Sequence, residues 1–234
     1  MTHTIGKYFD DFLSLIYPHN CAGCGSDILG KNHLLCWNCL HNLPLTGFEE
    51  HATNLVSQLF AGRIAVEKAA AFLFFSKDSN VQHLIHLVKY KGNKELGKYL
   101  GTLMGHSLEQ AGWKDIDVIV PVPLNKKKAA KRGFNQAKLL ADGIGEVLQK
   151  PVAEVAVVRT KFTETQTRKS RINRWQNVED VFELGDATGL ENKNILLVDD
   201  VVTTGATLEA CGQALLKIDG VKLNISALAY ASKM

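Results

Sequence analysis

Two hydrophobic periods take turns along this chain. Residues 80–90, NVQHLIHLVKY, place Val81, Leu84, Ile85 and Val88 at helical spacing. Residues 94–110 repeat that pattern with Leu96, Leu100, Leu103 and Leu108, and residues 135–148 read as a further helix. In LEACGQALL, Leu208, Cys211 and Leu215 share one face. Between these segments lie short apolar runs that read as strands: residues 66–75, 117–123, 152–158, 195–198 and 223–230. Pro121 and Pro123 limit further pairing of the second run. Ile195, Leu196, Leu197 and Val198 follow one another without a polar break, as in a strand buried on both faces. Strands alternating with helices predict a parallel α/β sheet with right-handed crossovers. Ligands of such sheets bind beyond the carboxyl ends of the strands. Upstream, residues 4–17 form a short amphipathic helix pattern through Ile5, Phe9, Phe12, Leu13 and Ile16, which Pro18 stops. Residues 43–62, with Pro44, Gly47 and several polar positions, read as a loosely packed connection.

Composition narrows the class without deciding the function. Hydrophobic residues at 46% and charged residues at 22% are ordinary for a soluble globular chain. A net charge of +3 is too small a surplus to imply a nucleic-acid or membrane partner. No apolar run approaches the ~20 residues of a membrane span. The start of the chain lacks a basic region and a signal core, and Asp10 and Asp11 interrupt it, so the expected location is the cytoplasm. The distribution of charge says more than its sum. Residues 125–174 hold thirteen Lys and Arg against four Asp and Glu, a local net of +9. KKKAAKRGFNQ directly follows a strand end, and TKFTETQTRKSRINRWQN is a long polar loop of the kind that tends to be functional. Either segment suits a pyrophosphate or the backbone of single-stranded DNA, with Phe134, Phe162 or Trp175 offering stacking faces.

The cysteines add a second kind of chemistry. CAGC and CWNC place Cys21, Cys24, Cys36 and Cys39 in two Cys-x-x-Cys pairs. Four thiolates so arranged make a tetrahedral, closed, structural zinc site with no open position for catalysis. Two disulfides are the competing reading, which a reducing cytoplasm disfavours. A redox-active pair is a third, and no strand–helix context surrounds either motif. His19, His33 and His41 lie nearby, outside a ligand set that four cysteines already complete. Cys211 belongs to an apolar helix face. The expected division is a helix and zinc module at 1–45, a linker at 46–62 and the main domain at 63–234.

Residues 195–207, ILLVDDVVTTGAT, carry the sharpest signal. Asp199 and Asp200 are expected where the strand ends, and Thr203, Thr204, Gly205, Ala206 and Thr207 lead into a helix. A helix N-terminus offers free N–H groups and a positive dipole end to a phosphate. Gly205 permits close backbone approach, and the threonine hydroxyls add donors. The carboxylates suit the hydroxyl groups of a sugar, or Mg²⁺ through water. Helix capping by the same Asp and Thr residues is the plainer reading.

This pattern resembles the phosphoribosyl pyrophosphate (PRPP) loop of type I phosphoribosyltransferases. There the acidic pair meets the ribose and the Thr-Thr-Gly-x-Thr turn wraps the 5′-phosphate. The ordered series of paired cysteines, KYKG, VPVPL, KRGFNQ, RTKFTETQTRKSRINRWQN and VDDVVTTGAT resembles the ComF/GntX family over nearly the whole chain. The resemblance implies a phosphoribosyltransferase-like parallel sheet flanked by helices, with a small N-terminal four-cysteine zinc module. It places Tyr90, Lys91 and Gly92 in a pyrophosphate loop, Arg132 to Gln136 in a signature near the site, and Gln166, Thr167, Arg168 and Arg171 in a mobile loop. It implies PRPP with Mg²⁺, or a related ribose 5-phosphate, as ligand. Single-stranded DNA and a competence helicase or other DNA-processing protein are the implied partners in DNA uptake. The alternative is an active phosphoribosyltransferase on an unidentified acceptor. Thr203 stands where purine salvage enzymes carry an acid, and the chain begins Met1, Thr2, so purine salvage and glutamine-dependent chemistry are both disfavoured.

Overall fold

A computed structural model describes residues 20–27, 33–125, 130, 132–160 and 181–232. The helix expected at residues 4–17 lies outside them.

The sheet is built on β5 (Asn194–Val202), which runs parallel to β6 (Lys222–Tyr230) on one side and β2 (Val118–Pro121) on the other. β1 (Lys68–Phe74) pairs parallel with β6, giving the order β1-β6-β5-β2. Alternation along β5 divides its apolar run between two cores. Leu196 and Val198 enter the cluster beneath α3 (Asn80–Lys91), α4 (Lys94–Gln110) and α5 (Gln136–Leu148). Ile195 and Leu197 enter the opposite cluster with Leu208, Cys211 and Leu215 of α6 (Ala206–Leu215). All four β5 side chains are fully buried, as an uninterrupted apolar strand requires.

The helical layer is held tightly by glycine. A Cβ on Gly101 of α4 would lie 2.8 Å from the Cα of Leu140. One on Gly143 of α5 would lie 2.6 Å from the backbone nitrogen of Thr102. The two helices therefore meet backbone to backbone, which only glycine allows here. Asn93 caps α4 and Asn135 caps α5, each side chain accepting from a first-turn N–H.

Three features differ from the expectations. The run at 152–158 is two elements rather than one strand. Val152 bridges Ile119 in parallel, the chain turns at Glu154 and Val155, and β3 (Val157–Thr160) pairs antiparallel with β4 (Val181–Leu184) away from the main sheet. Next, the strand bearing the acidic pair continues to Val202, because Asp199 and Val201 pair with Ala227 and Ala229 of β6. Finally, residues 46–62 are packed rather than loose. They carry a 3₁₀ turn (Phe48–Glu50) and a short helix, α2 (Leu55–Gln58), and bury Val56 and Phe60 almost completely. Just before them, Leu45 bridges Leu73 and the Pro44 carbonyl accepts from the Phe74 N–H at 2.8 Å, which covers the outer edge of β1. No helix among the described residues is long and apolar enough to cross a membrane.

Candidate functional site

Residues 199–207 lie at the carboxyl end of β5 and the N-terminus of α6. The side-chain period of a strand sends successive residues to opposite faces, and the acidic pair follows it. Asp200 turns toward the helical layer, where Lys89 Nζ pairs with its carboxylate at 2.7 Å. Asp199 lies toward the other side, within the field of Arg159 and close enough for its own charge to bear on the Cys211 thiol. Withdrawal from water and the adjacent Asp200 charge push the Asp199 carboxyl up to about 7. The Asp200 N–H, which donates to it at 2.8 Å, and the charges of Lys89 and Arg159 oppose that rise.

The turn that follows is shaped for an anion. Gly205 takes the left-handed conformation, φ 77°, at the N-cap of α6, while Thr203, Thr204, Ala206 and Thr207 are exposed. A Cβ at position 205 would lie 3.0 Å from the Phe60 ring, so steric room and backbone conformation both require glycine. Arg63 holds the turn from behind. Its Nη1 donates to the Thr204 carbonyl at 3.1 Å and to the Leu59 carbonyl at 3.0 Å, and its Nη2 pairs with Glu209.

The basic turn ending α3 sits next to Asp200. Gly92 caps that helix in the left-handed conformation, and Tyr90 and Lys91 are exposed in its last turn. The Arg132 guanidinium lies 5.2 Å from the centre of the Tyr90 ring and donates to Gln136 Oε1 at 2.7 Å. Gln136, only 3% exposed, lines one small cavity with Lys89 and Asp200, and its Nε2 has no partner among the described residues. The structure thus gathers Tyr90, Lys91, Gly92, Arg132 and the 199–207 segment at one edge of the sheet. Gln166, Arg168 and Arg171 lie outside the described residues, as do Lys126 to Lys128. Lys89 and Arg63 are additions to the expected set. Lys89 was legible within KYKG as a basic residue, but only a fold reveals that it, rather than Lys91, faces Asp200. Arg63 sits in no motif at all.

The four cysteines form a separate centre. The sulfurs of Cys21, Cys24, Cys36 and Cys39 lie within 4.8 Å of one another, and all four are free thiols. Backbone N–H groups converge on them: Gly23 and Cys36 donate to Cys21 Sγ at 3.3 and 3.2 Å, and Cys39 donates to Cys36 Sγ at 3.4 Å. Amides facing sulfur stabilise thiolates, so this geometry fits a metal knuckle better than two disulfides. Contact with the side chain and backbone of Ser26 lowers the Cys24 thiol to about 6. Cys36 also caps α1 (Trp37–His41), and Leu35 and Leu43 carry this lobe into the core that contains Phe72 and Leu73. Cys211, by contrast, is buried beneath the sheet, where exclusion of water pushes its thiol up.

Known proteins resemble this chain over different parts of its length. The chain is 28% identical over 216 residues to Competence protein F of Haemophilus influenzae, with 90% of each chain covered. It is 34% identical to the DNA utilization protein YhgH of Escherichia coli over 138 residues, 57% of this chain and 60% of that one. Competence protein ComFC of Bacillus subtilis is 36% identical over 100 residues, 43% of this chain and 38% of that one. The model of the phosphoribosyl transferase domain matches residues 89–233, from the lysine paired with Asp200 to the end of the described sheet and just beyond. Because that match takes in β5, its acidic pair and the glycine turn within more than half of the sequence, the chain belongs to the phosphoribosyl transferase domain family.

Proposed function

We propose that this protein binds PRPP together with Mg²⁺ at the carboxyl end of β5 and acts in DNA uptake as a competence-type protein of the cytoplasm. One observation carries the proposal. The exposed Thr203–Thr207 turn, with left-handed Gly205 at the mouth of α6, is contiguous with two carboxylates on the same strand. A 5′-phosphate then accepts from the turn, and ribose hydroxyls lie within the reach of the carboxylates. Magnesium, bound with PRPP, neutralises diphosphate charge. Lys91, Arg132 and the tyrosine beneath Arg132 supply the complementary cationic side for pyrophosphate. Zinc is the metal of the four-cysteine centre, where it holds the N-terminal lobe against the core.

The +9 middle segment supports single-stranded DNA as a second ligand, and DNA-processing proteins such as a helicase as partners. Similarity to proteins named for competence and DNA utilization points the same way. The test uses the intact, metal-loaded chain. Saturating PRPP with Mg²⁺, at about 100 times its Kd, stabilises the fold by roughly 2.7 kcal/mol and raises the melting temperature by several degrees. An unchanged melting temperature at millimolar ligand removes the PRPP assignment. Affinity for a single-stranded oligonucleotide falls steeply as salt rises. A salt-independent affinity removes the DNA assignment.

A further inference from the structure

The phosphate turn is braced by residues that precede the family match at 89–233. One guanidinium makes three connections there. Arg63 Nη1 donates to the carbonyls of Leu59 and Thr204, and Nη2 pairs with Glu209 in the first turn of α6. The Glu209 N–H in turn donates to the Gly205 carbonyl at 2.8 Å. Phe60, 1% exposed, fills the space under Gly205. This brace is itself anchored. Asn54, only 7% exposed, accepts from the Val56 and Ser57 N–H groups at 2.8 and 3.0 Å. Its Nδ2 donates to the carbonyls of Phe48, His51 and Ala69, the last of them in β1. A continuous path therefore runs from the sheet through Asn54, Phe60 and Arg63 to the turn.

Peptide geometry gives that path a consequence for binding. The peptide joining Thr204 to Gly205 is trans, so its C=O and N–H point in opposite directions. With the Thr204 carbonyl turned to the partly exposed Arg63, the Gly205 N–H points to the opposite side of the peptide. Without the arginine, that peptide is free to rotate and present its carbonyl instead, which repels a phosphate.

We propose that Arg63, supported by Phe60, is a positioning residue of the phosphate site: it fixes the Thr204–Gly205 peptide with its N–H toward the ligand. The proposal rests on the phosphate reading of residues 203–207. Arg63 is partly exposed, so Arg63→Met leaves the core intact. Titration with ribose 5-phosphate and, separately, with inorganic pyrophosphate tests the role. Arg63→Met weakens ribose 5-phosphate about tenfold, the worth of one charge-assisted donor, and leaves pyrophosphate affinity unchanged. Arg63→Lys recovers only part of the loss, since an ammonium cannot reproduce the fork that spans two carbonyls and a carboxylate. Hydrogen exchange in the unliganded protein reads the brace independently, and the Glu209 N–H exchanges faster in Arg63→Met. Equal weakening of both ligands, full recovery with lysine, or unchanged affinity with unchanged exchange overturns the proposal. If the wild-type chain takes up no ribose 5-phosphate, the phosphate reading fails. Exchange then decides the brace: faster exchange supports it and unchanged exchange overturns it.

Discussion

Asp199 and Asp200 are neighbours in sequence with opposite electrostatic fates. Asp200 has a lysine at 2.7 Å, whereas Asp199 loses water and faces the charge of its neighbour. Its carboxyl, pushed from 3.8 to about 7, is protonated in the folded chain over a range where the unfolded chain ionises it. The folded state then holds more protons, so this group's contribution to stability falls as pH rises from about 4 toward 7. A ligand that needs the carboxylate has the reverse dependence. Affinity for Mg²⁺ with PRPP therefore rises by up to about tenfold between about pH 6 and pH 8, relative to an Asp199→Asn control that cancels titration of the ligand. A constant ratio between the two proteins across that range contradicts this role. Much of the residue-scale site was legible. Cys21 to Cys39 and Asp199 to Thr207 are local spacings, and a local spacing survives in sequence. Arg63 was invisible because its hydrogen bond to Thr204 joins residues 141 apart. The opposed directions of the acidic pair were hidden too, since they depend on the strand continuing to Val202.

At the scale of elements, α3, α4, α5 and α6 appeared where their 3.6-residue periods placed them. The strand at 152–158 did not, because a run rich in Val and Ala conceals a turn, and β3 finds its partner in residues 181–184, far along the sequence. In residues 46–62 the helical spacing of Leu55, Val56, Leu59 and Phe60 spans too short a run to stand out among polar positions, yet Val56, Phe60 and the Asn54 cap give the segment order. The α4–α5 contact is the element-level feature most exposed to a single change. Gly143→Ala forces a methyl group against the backbone of Lys98 and Thr102, where no flexible side chain is available to yield. It costs on the order of 1–3 kcal/mol, read as a lower urea midpoint with an unchanged slope. An unaltered midpoint shows that the helices separate without penalty.

At the scale of the molecule, the site is an assembly from distant parts of the chain. The N-terminal lobe covers the edge of β1, and residues 54–63 brace the turn before α6. The end of α3 supplies the partner of Asp200. The family match begins at residue 89, whereas the turn is supported from residue 63. The parallel architecture was legible from alternating periods, while the separate β3–β4 ribbon was not, being a product of long-range pairing. Calorimetric titration of the intact, metal-loaded chain with PRPP decides whether the end of β5 is a ligand site. One saturable site is expected, which requires Mg²⁺ and disappears when Asp200→Asn removes the carboxylate paired with Lys89. A folded, metal-loaded chain that gives no heat of binding with PRPP and Mg²⁺ contradicts that assignment.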